Sequence, residues 1–178
     1  MPLASDSAQR HVIYIGSLSK SLGSTFRCSY IVAPPNLIQA LERTAAVTLG
    51  QGDAVMQRML ADLINDGELK KHLRRVSREY RQRRDTLLSC LRAAFTEQIS
   101  VQEPEGGLAL WVRFVDSIDV NQLVEKALEL DLVIRNARQF SPDGHPENAL
   151  RLGFASLNQE EIRSATQRLA QAAQAIKR

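Results

Sequence analysis

No run of apolar residues in this chain approaches the roughly 20 needed to cross a bilayer, so a membrane-spanning helix is not part of the reading. The opening MPLASDSAQRHV has no hydrophobic stretch flanked by basic residues, which argues against a secretory leader and makes the cytoplasm the expected compartment. Cysteine is scarce. Cys28 and Cys90 lie far apart and outside any metal-type spacing, so neither a disulfide framework nor a zinc site is expected, and both are read as buried small apolar residues. His11, His72 and His145 have no ligand-type neighbour in sequence, and no metal is assigned. The chain also lacks a Gly-x-Ser-x-Gly elbow and any Cys or Ser placed with a His to suggest a nucleophilic triad. Only nine glycines and six prolines occur, and the 24% of charged residues are mixed in sign, which excludes collagen-like and disordered classes.

What is present is the composition of a folded protein. Apolar residues make up 44% of 178, enough for one ordinary core or two small ones. The net charge of +3 says little about partners, but its distribution is uneven. Lys70, Lys71, Arg74, Arg75, Arg78, Arg81, Arg83 and Arg84 form a run opposed within it only by Glu79. Such a run can contact nucleic-acid phosphates. With Tyr80 as its one aromatic and an intact apolar stripe beneath, it reads instead as the solvated back of a helix.

Val12 to Ile15 is a short β-prone run ended by Gly16 and Ser17, the pattern of a buried strand delivering its end to a loop. A second run, Tyr30 to Ala33, stops at Pro34-Pro35, and Pro35 suits the first turn of a helix over Leu37, Ile38, Leu41 and Ala45. Leu49 to Ile64 reads as helical and breaks at Asn65-Asp66-Gly67. Leu69, Leu73, Val76, Tyr80, Leu87, Leu91 and Phe95 then mark one side of a long helix, expected over residues 66–97 and long enough to bridge two lobes. In the remainder, 98–178, strands are expected at Ile99–Val101, Leu108–Val115, Leu132–Ile134 and Leu150–Phe154. They interleave with a helix through Val120, Leu123, Val124, Ala127 and Leu128, and with a last helix capped by Asn158 and Glu161. That alternation predicts a compact α/β lobe.

One lysine stands out. Lys20 follows the first strand inside Gly16-Ser17-Leu18-Ser19-Lys20-Ser21-Leu22-Gly23, among small and hydroxyl residues that leave room for a ligand. A nucleophilic lysine needs burial or a nearby cation to lose its proton near neutral pH, and Arg27 lies seven residues on. Ser17, Ser19 and Arg27 offer hydroxyl and guanidinium donors suited to a phosphate. A Ser- and Gly-rich surface loop is the plain alternative. A nucleotide P-loop is set aside, because Gly16 has no second glycine at the required spacing before Lys20-Ser21.

The stretch IYIGSLSKSLGSTFRCSYIVAPP resembles the segment around the cofactor lysine of fold-type-I pyridoxal-phosphate (PLP) enzymes, in which Ser-x-Ser-Lys is followed by Arg and then Gly-Tyr. The nearest branch by resemblance is the MocR group of GntR-type regulators, which join a winged-helix DNA-binding domain to an aminotransferase-like domain. ELKKHLRRVSREYRQRRDTLLSCL is similar to that group's long helix, and EGGLALWVRF and ALRLGFA are similar to its C-terminal lobe. The likeness departs at Ser24, where relatives commonly carry proline, and at Ser29, where they carry glycine.

The resemblance implies an α/β fold of the aspartate-aminotransferase type. Residues 1–65 would close the PLP-binding large domain, 66–97 would connect, and 98–178 would form the small C-terminal domain. It implies PLP as cofactor, Lys20 as its Schiff-base lysine and catalytic base, and Ser17, Ser19 and Arg27 as phosphate ligands. Arg151 would clamp the α-carboxylate of an amino-acid substrate or effector, whereas on its own it reads as an ordinary strand-end arginine. The family's aspartate for the pyridine nitrogen belongs well upstream, and only nineteen residues precede Lys20, so a C-terminal portion is expected, inactive as an enzyme by itself. The resemblance further implies a homodimer in the full-length protein and DNA contact only through a winged helix outside these residues. The alternatives are a piece of a free-standing amino-acid aminotransferase, or a portion that folds without PLP.

Overall fold

The computed structural model describes residues 11–23, 28–48, 50 and 52–176. The chain divides into two compact units, residues 1–76 and 77–178.

In the first unit, β1 (Tyr14–Ser17) is followed by the short helix α1 (Ser19–Leu22) and by β2 (Ser29–Val32), which pairs antiparallel with β1. The register sets Gly16 opposite Tyr30, whose ring lies over it: a methyl group on Gly16 would lie 2.2 Å from Tyr30 Cζ, so any side chain there would have to displace the ring. β1 starts two residues later than the β-prone run suggested, and it is not buried. Ile15 is 70% exposed, and Gly16 alone is buried on β1. Among the described residues no second layer covers the apolar side chains of this two-stranded ribbon.

Pro35 opens α2 (Pro35–Thr48). Leu49 lies outside the described residues, and α3 (Ala54–Asn65) begins later than the periodicity suggested, because Gly50 and Gly52 take φ of +71° and +69° and Asp53 forms the cap. Asp53 Oδ1 accepts from the Met56 N–H at 2.9 Å. The Asn65-Asp66-Gly67 break is present, with Gly67 at φ +74°, a conformation that costs glycine little.

The helix α4 (Glu68–Phe95) runs 28 residues, and the boundary between the units falls inside it. In the second unit it packs with β3 (Ile99–Val101), β4 (Ala109–Phe114), α5 (Val120–Glu129), β5 (Arg135–Asn136), β6 (Ala149–Gly153) and α6 (Gln159–Ile176) around one core. The fold is α/β, with an antiparallel sheet in the order β3-β4-β6-β5. Strand alternation turns Leu110, Val112 and Phe114 of β4 inward against Leu88, Leu91 and Phe95 of α4, and against Ile162 and Leu169 of α6. Leu91 is fully buried, and full burial of such a side chain stabilises by about 1.5–3 kcal/mol.

Leu132–Ile134 does not pair as expected. Asp131 at φ +56° and the Leu132 N–H bonded back to Ala127 O at 2.9 Å show these residues still closing α5, and pairing begins only at Arg135. The last helix starts with a reciprocal capping box. Asn158 Oδ1 accepts from the Glu161 N–H at 2.9 Å, while Glu161 Oε2 accepts from the Asn158 N–H at 2.7 Å. Cys28 and Cys90 are free thiols, half-buried rather than core residues. No helix among the described residues is long and apolar enough to cross a membrane.

Candidate functional site

Lys20 sits one residue into α1, on the turn that leaves β1. The turn is closed by backbone bonds from the Ser21 and Leu22 N–H groups to Leu18 O, at 3.0 and 2.9 Å, and tied to the following strand by the Leu18 N–H donating to Cys28 O at 3.0 Å. Farther along the chain in the same unit, His72 Nε2 lies 2.8 Å from Ser21 O, so α4 holds the far side of the turn. Lys20 is exposed, Ser17 ends β1 and is exposed, and Ser19 is half-buried. The structure thus brings Ser17, Ser19 and Lys20 together on one strand-to-helix turn. Arg27 lies outside the described residues. An amine and hydroxyls carried on one turn are the side-chain types that fit a phosphate-bearing aldehyde.

Tyr30 and Tyr14 stand on the same face of the ribbon with ring centroids 5.9 Å apart. A hydrogen bond with Tyr14, then desolvation and the Tyr14 charge, raise the Tyr30 pKa above its ordinary value. Neither tyrosine was singled out by sequence as a site residue; the signal was the Gly16–Tyr30 pairing, which requires the register.

Arg151 belongs to the second unit and stands on the sheet face opposite the core, with Trp111 directly across on β4. Its guanidinium lies 5.6 Å from the Phe140 ring centroid, and Trp111 meets Phe140 edge to face at 6.0 Å. Arg135 of β5 faces Arg151 in register. A cavity of about 360 Å³ is lined by both arginines together with Leu87, Leu152, Ile162 and Leu169. Phe140 and Arg135 had no motif to mark them, and Trp111 lay in the EGGLALWVRF stretch without being singled out.

Glu147 joins this face: its carboxylate accepts from Arg113 Nε at 2.6 Å and from Trp111 Nε1 at 3.0 Å. The Arg113 and Trp111 hydrogen bonds hold its pKa below the usual carboxylate value, against a smaller opposing effect of desolvation. A depressed folded-state pKa means that this carboxylate stabilises above its unfolded pKa and loses that contribution as pH falls through the lower folded value. Glu147→Gln is therefore expected to lower the melting temperature at pH 7, with the gap from wild type closing as pH drops below about 4. Trp111 fluorescence reads this directly, and a gap independent of pH would remove the carboxylate from the account.

The basic run is partly structural. Arg84 donates to Pro104 O at 2.7 Å and pairs with Asp85 at 2.7 Å and Glu103 at 3.0 Å, while Arg83 donates to Ala155 O. Lys71 pairs with Glu68 at 2.6 Å, and Lys70, Arg74, Arg78 and Arg81 carry the solvated remainder of the run. Among the described residues no group of three His, Cys, Asp or Glu side chains could hold a metal.

The fold and the lysine turn define an aminotransferase-type chain, and residues 2–169 match the family described as aminotransferase class I and II. The chain belongs to that family, whose cofactor is PLP. It is 28% identical over 170 residues to aromatic-amino-acid aminotransferase 1 of Thermococcus litoralis, covering 96% of this chain and 41% of the relative. It is also 28% identical over 162 residues to the probable rhizopine catabolism regulatory protein MocR of Rhizobium meliloti, covering 85% and 31%. Among solved structures it superposes on LysN, the α-aminoadipate aminotransferase of Thermus thermophilus complexed with N-(5'-phosphopyridoxyl)-L-leucine. That match has a TM-score of 0.87 at 28% identity, covering 98% of this chain and 45% of that one. The chain therefore spans less than half the length of these relatives.

Proposed function

We propose that this chain is the C-terminal portion of the PLP-binding, aminotransferase-like effector domain of a MocR/GntR-type transcriptional regulator. The observation that carries the reading is the placement of Lys20 with Ser17 and Ser19 on one turn after β1, in a chain of this family. Similarity to MocR and to other helix-turn-helix regulators such as YdfD of Bacillus subtilis, 29% identical over 161 residues, favours the regulator. Residues 1–65 then close the large domain, 66–97 connect, and 98–178 form the small domain.

In this reading Lys20 holds the cofactor through its ε-amine and moves the proton at the α-carbon of a bound amino acid. Ser17, Ser19 and Arg27 bind the phosphate. Arg151, whose guanidinium lies over the Phe140 ring, clamps the amino acid's carboxylate. PLP, when bound, supplies an electron sink. DNA contact falls to a winged helix elsewhere in the full-length protein, which works as a cytoplasmic homodimer.

Incubation of the purified chain with PLP followed by borohydride tests the site. Covalent capture mapped to the Lys20 peptide, and lost in Lys20→Ala, is the expected result. Capture spread over Lys70, Lys71 and Lys126 and unchanged in Lys20→Ala would sink it. The similarity to aromatic-amino-acid aminotransferase 1 supports a second reading, a portion of a free-standing aminotransferase. Specific retention of operator DNA by the full-length protein selects the regulator; turnover of an amino acid with a 2-oxo acid, without DNA binding, selects the enzyme.

A further inference from the structure

The lysine turn is too short to hold itself. α1 has four residues, and a helix of that length is marginal without partners from outside it. Lys20 and Ser17 are exposed, so burial of their side chains does little to fix where the turn stands. Its backbone is tied at two places beyond its own residues. On the strand side the Leu18 N–H donates to Cys28 O at 3.0 Å. On the other side Ser21 O, one of the last carbonyls of α1 and so without a partner inside that helix, lies 2.8 Å from His72 Nε2. His72 is half-buried in the second turn of α4, 51 residues farther along the chain and within the same unit.

The chemistry of this contact places the proton on the ring. A carbonyl oxygen can only accept, so Nε2 carries the hydrogen and donates it. In the neutral ring Nδ1 is then the acceptor, and Arg75 Nη2 lies 3.4 Å from it, a contact that suits this tautomer. The imidazole therefore reaches from α4 to the residue that follows the lysine. We propose that His72 is a positioning residue for Lys20: its Nε2–H, donated to Ser21 O, holds the turn at the place from which the Lys20 amine reaches the cofactor. The inference rests on the reading of Lys20 as the cofactor lysine and adds a residue, remote in sequence, on which that lysine depends.

The full chain is compared as wild type, His72→Gln and His72→Phe. A glutamine amide nitrogen reaches about as far as Nε2 and still donates, whereas a phenylalanine ring keeps the bulk and cannot. Backbone amide exchange of Ser21 and Leu22, read without cofactor, is expected to quicken about tenfold in His72→Phe, the scale of one hydrogen bond, and to stay near wild type in His72→Gln. Borohydride capture of PLP at Lys20, mapped to its peptide and compared with capture at Lys70, Lys71 and Lys126, falls in His72→Phe and is restored in His72→Gln. A histidine that acts through its bulk alone gives the opposite order. Exchange unchanged in His72→Phe, exchange raised equally in both variants, or Lys20 capture present and equal in all three proteins overturns the proposal. Capture at Lys20 absent from wild type as well, with the exchange pattern as expected, overturns the cofactor reading of Lys20 and upholds His72 as the residue that holds its turn.

Discussion

Phe95→Ala is expected to cost the second unit about 3–5 kcal/mol, the range for truncating a buried phenylalanine. Phe95 is 2% exposed at the last turn of α4, and its ring meets that of Phe114 at 5.3 Å and 88°. Truncation removes the ring's own transfer free energy and leaves a gap between α4 and β4 that neither rigid element can close. The edge-to-face pair, worth about 0.5–1.5 kcal/mol beyond area, is lost as well. For a unit of this size the change corresponds to a fall in melting temperature of more than about 10 °C. The chain's one tryptophan, Trp111, lies in this unit, so its fluorescence follows the loss without interference from the other. Phe95→Leu should keep the greater part of the stability. A loss below about 1 kcal/mol for the alanine variant would mean that the ring is not packed as the structure has it.

Asn148→Ala is expected to remove about 2–3 kcal/mol through polar groups rather than packing. The Asn148 amide donates to Ile118 O at 2.8 Å and to Phe114 O and Val115 O, both at 3.2 Å. Its Oδ1 accepts from the Val120 N–H at 3.1 Å. One side chain thereby satisfies the backbone where β4 ends and α5 begins, and its own carbonyl accepts from the Phe114 N–H at 2.8 Å. Alanine leaves those groups short of partners. Aspartate does worse at pH 7, because a carboxylate can only accept and would face three carbonyl oxygens. The measurement is urea unfolding of the three proteins at pH 7 and at pH 4. Aspartate recovering toward wild type at the lower pH, where a protonated oxygen can donate, is the result that assigns the loss to these bonds. Equal stability of all three at pH 7 would remove Asn148 from the framework.

These two residues also mark what a sequence can disclose. The stripe through Leu87, Leu91 and Phe95 is local periodicity and was legible, as was the capping box of Asn158 and Glu161, whose partners are three residues apart. Asn148 was not, because its partners lie 28 to 34 residues away and its loop reads only as polar. At the candidate site, Lys20 was legible because Ser-x-Ser-Lys is a contiguous pattern. The grouping of Arg151 with Phe140 and Trp111 was not, because it depends on β6 standing opposite β4, and the apolar run Leu132 to Ile134 pointed to a strand three residues ahead of its start at Arg135. That run is occupied with ending α5, where Asp131 turns the chain before any pairing begins. The β1 run was read as buried because hydrophobicity tells what a strand would bury and not whether a layer is there to receive it. Arg83 and Arg84 looked like two more solvated cations, and only the fold supplies the carbonyls and carboxylates that occupy them.

The ribbon of β1 and β2 is open to extension. Ile13, Ile15 and Val32 are more than half exposed, and among the described residues each of the two strands keeps one edge of backbone groups without a strand partner. A β-branched ribbon with free edges is a template for strand addition, so these edges are where further strands would extend it into a wider sheet.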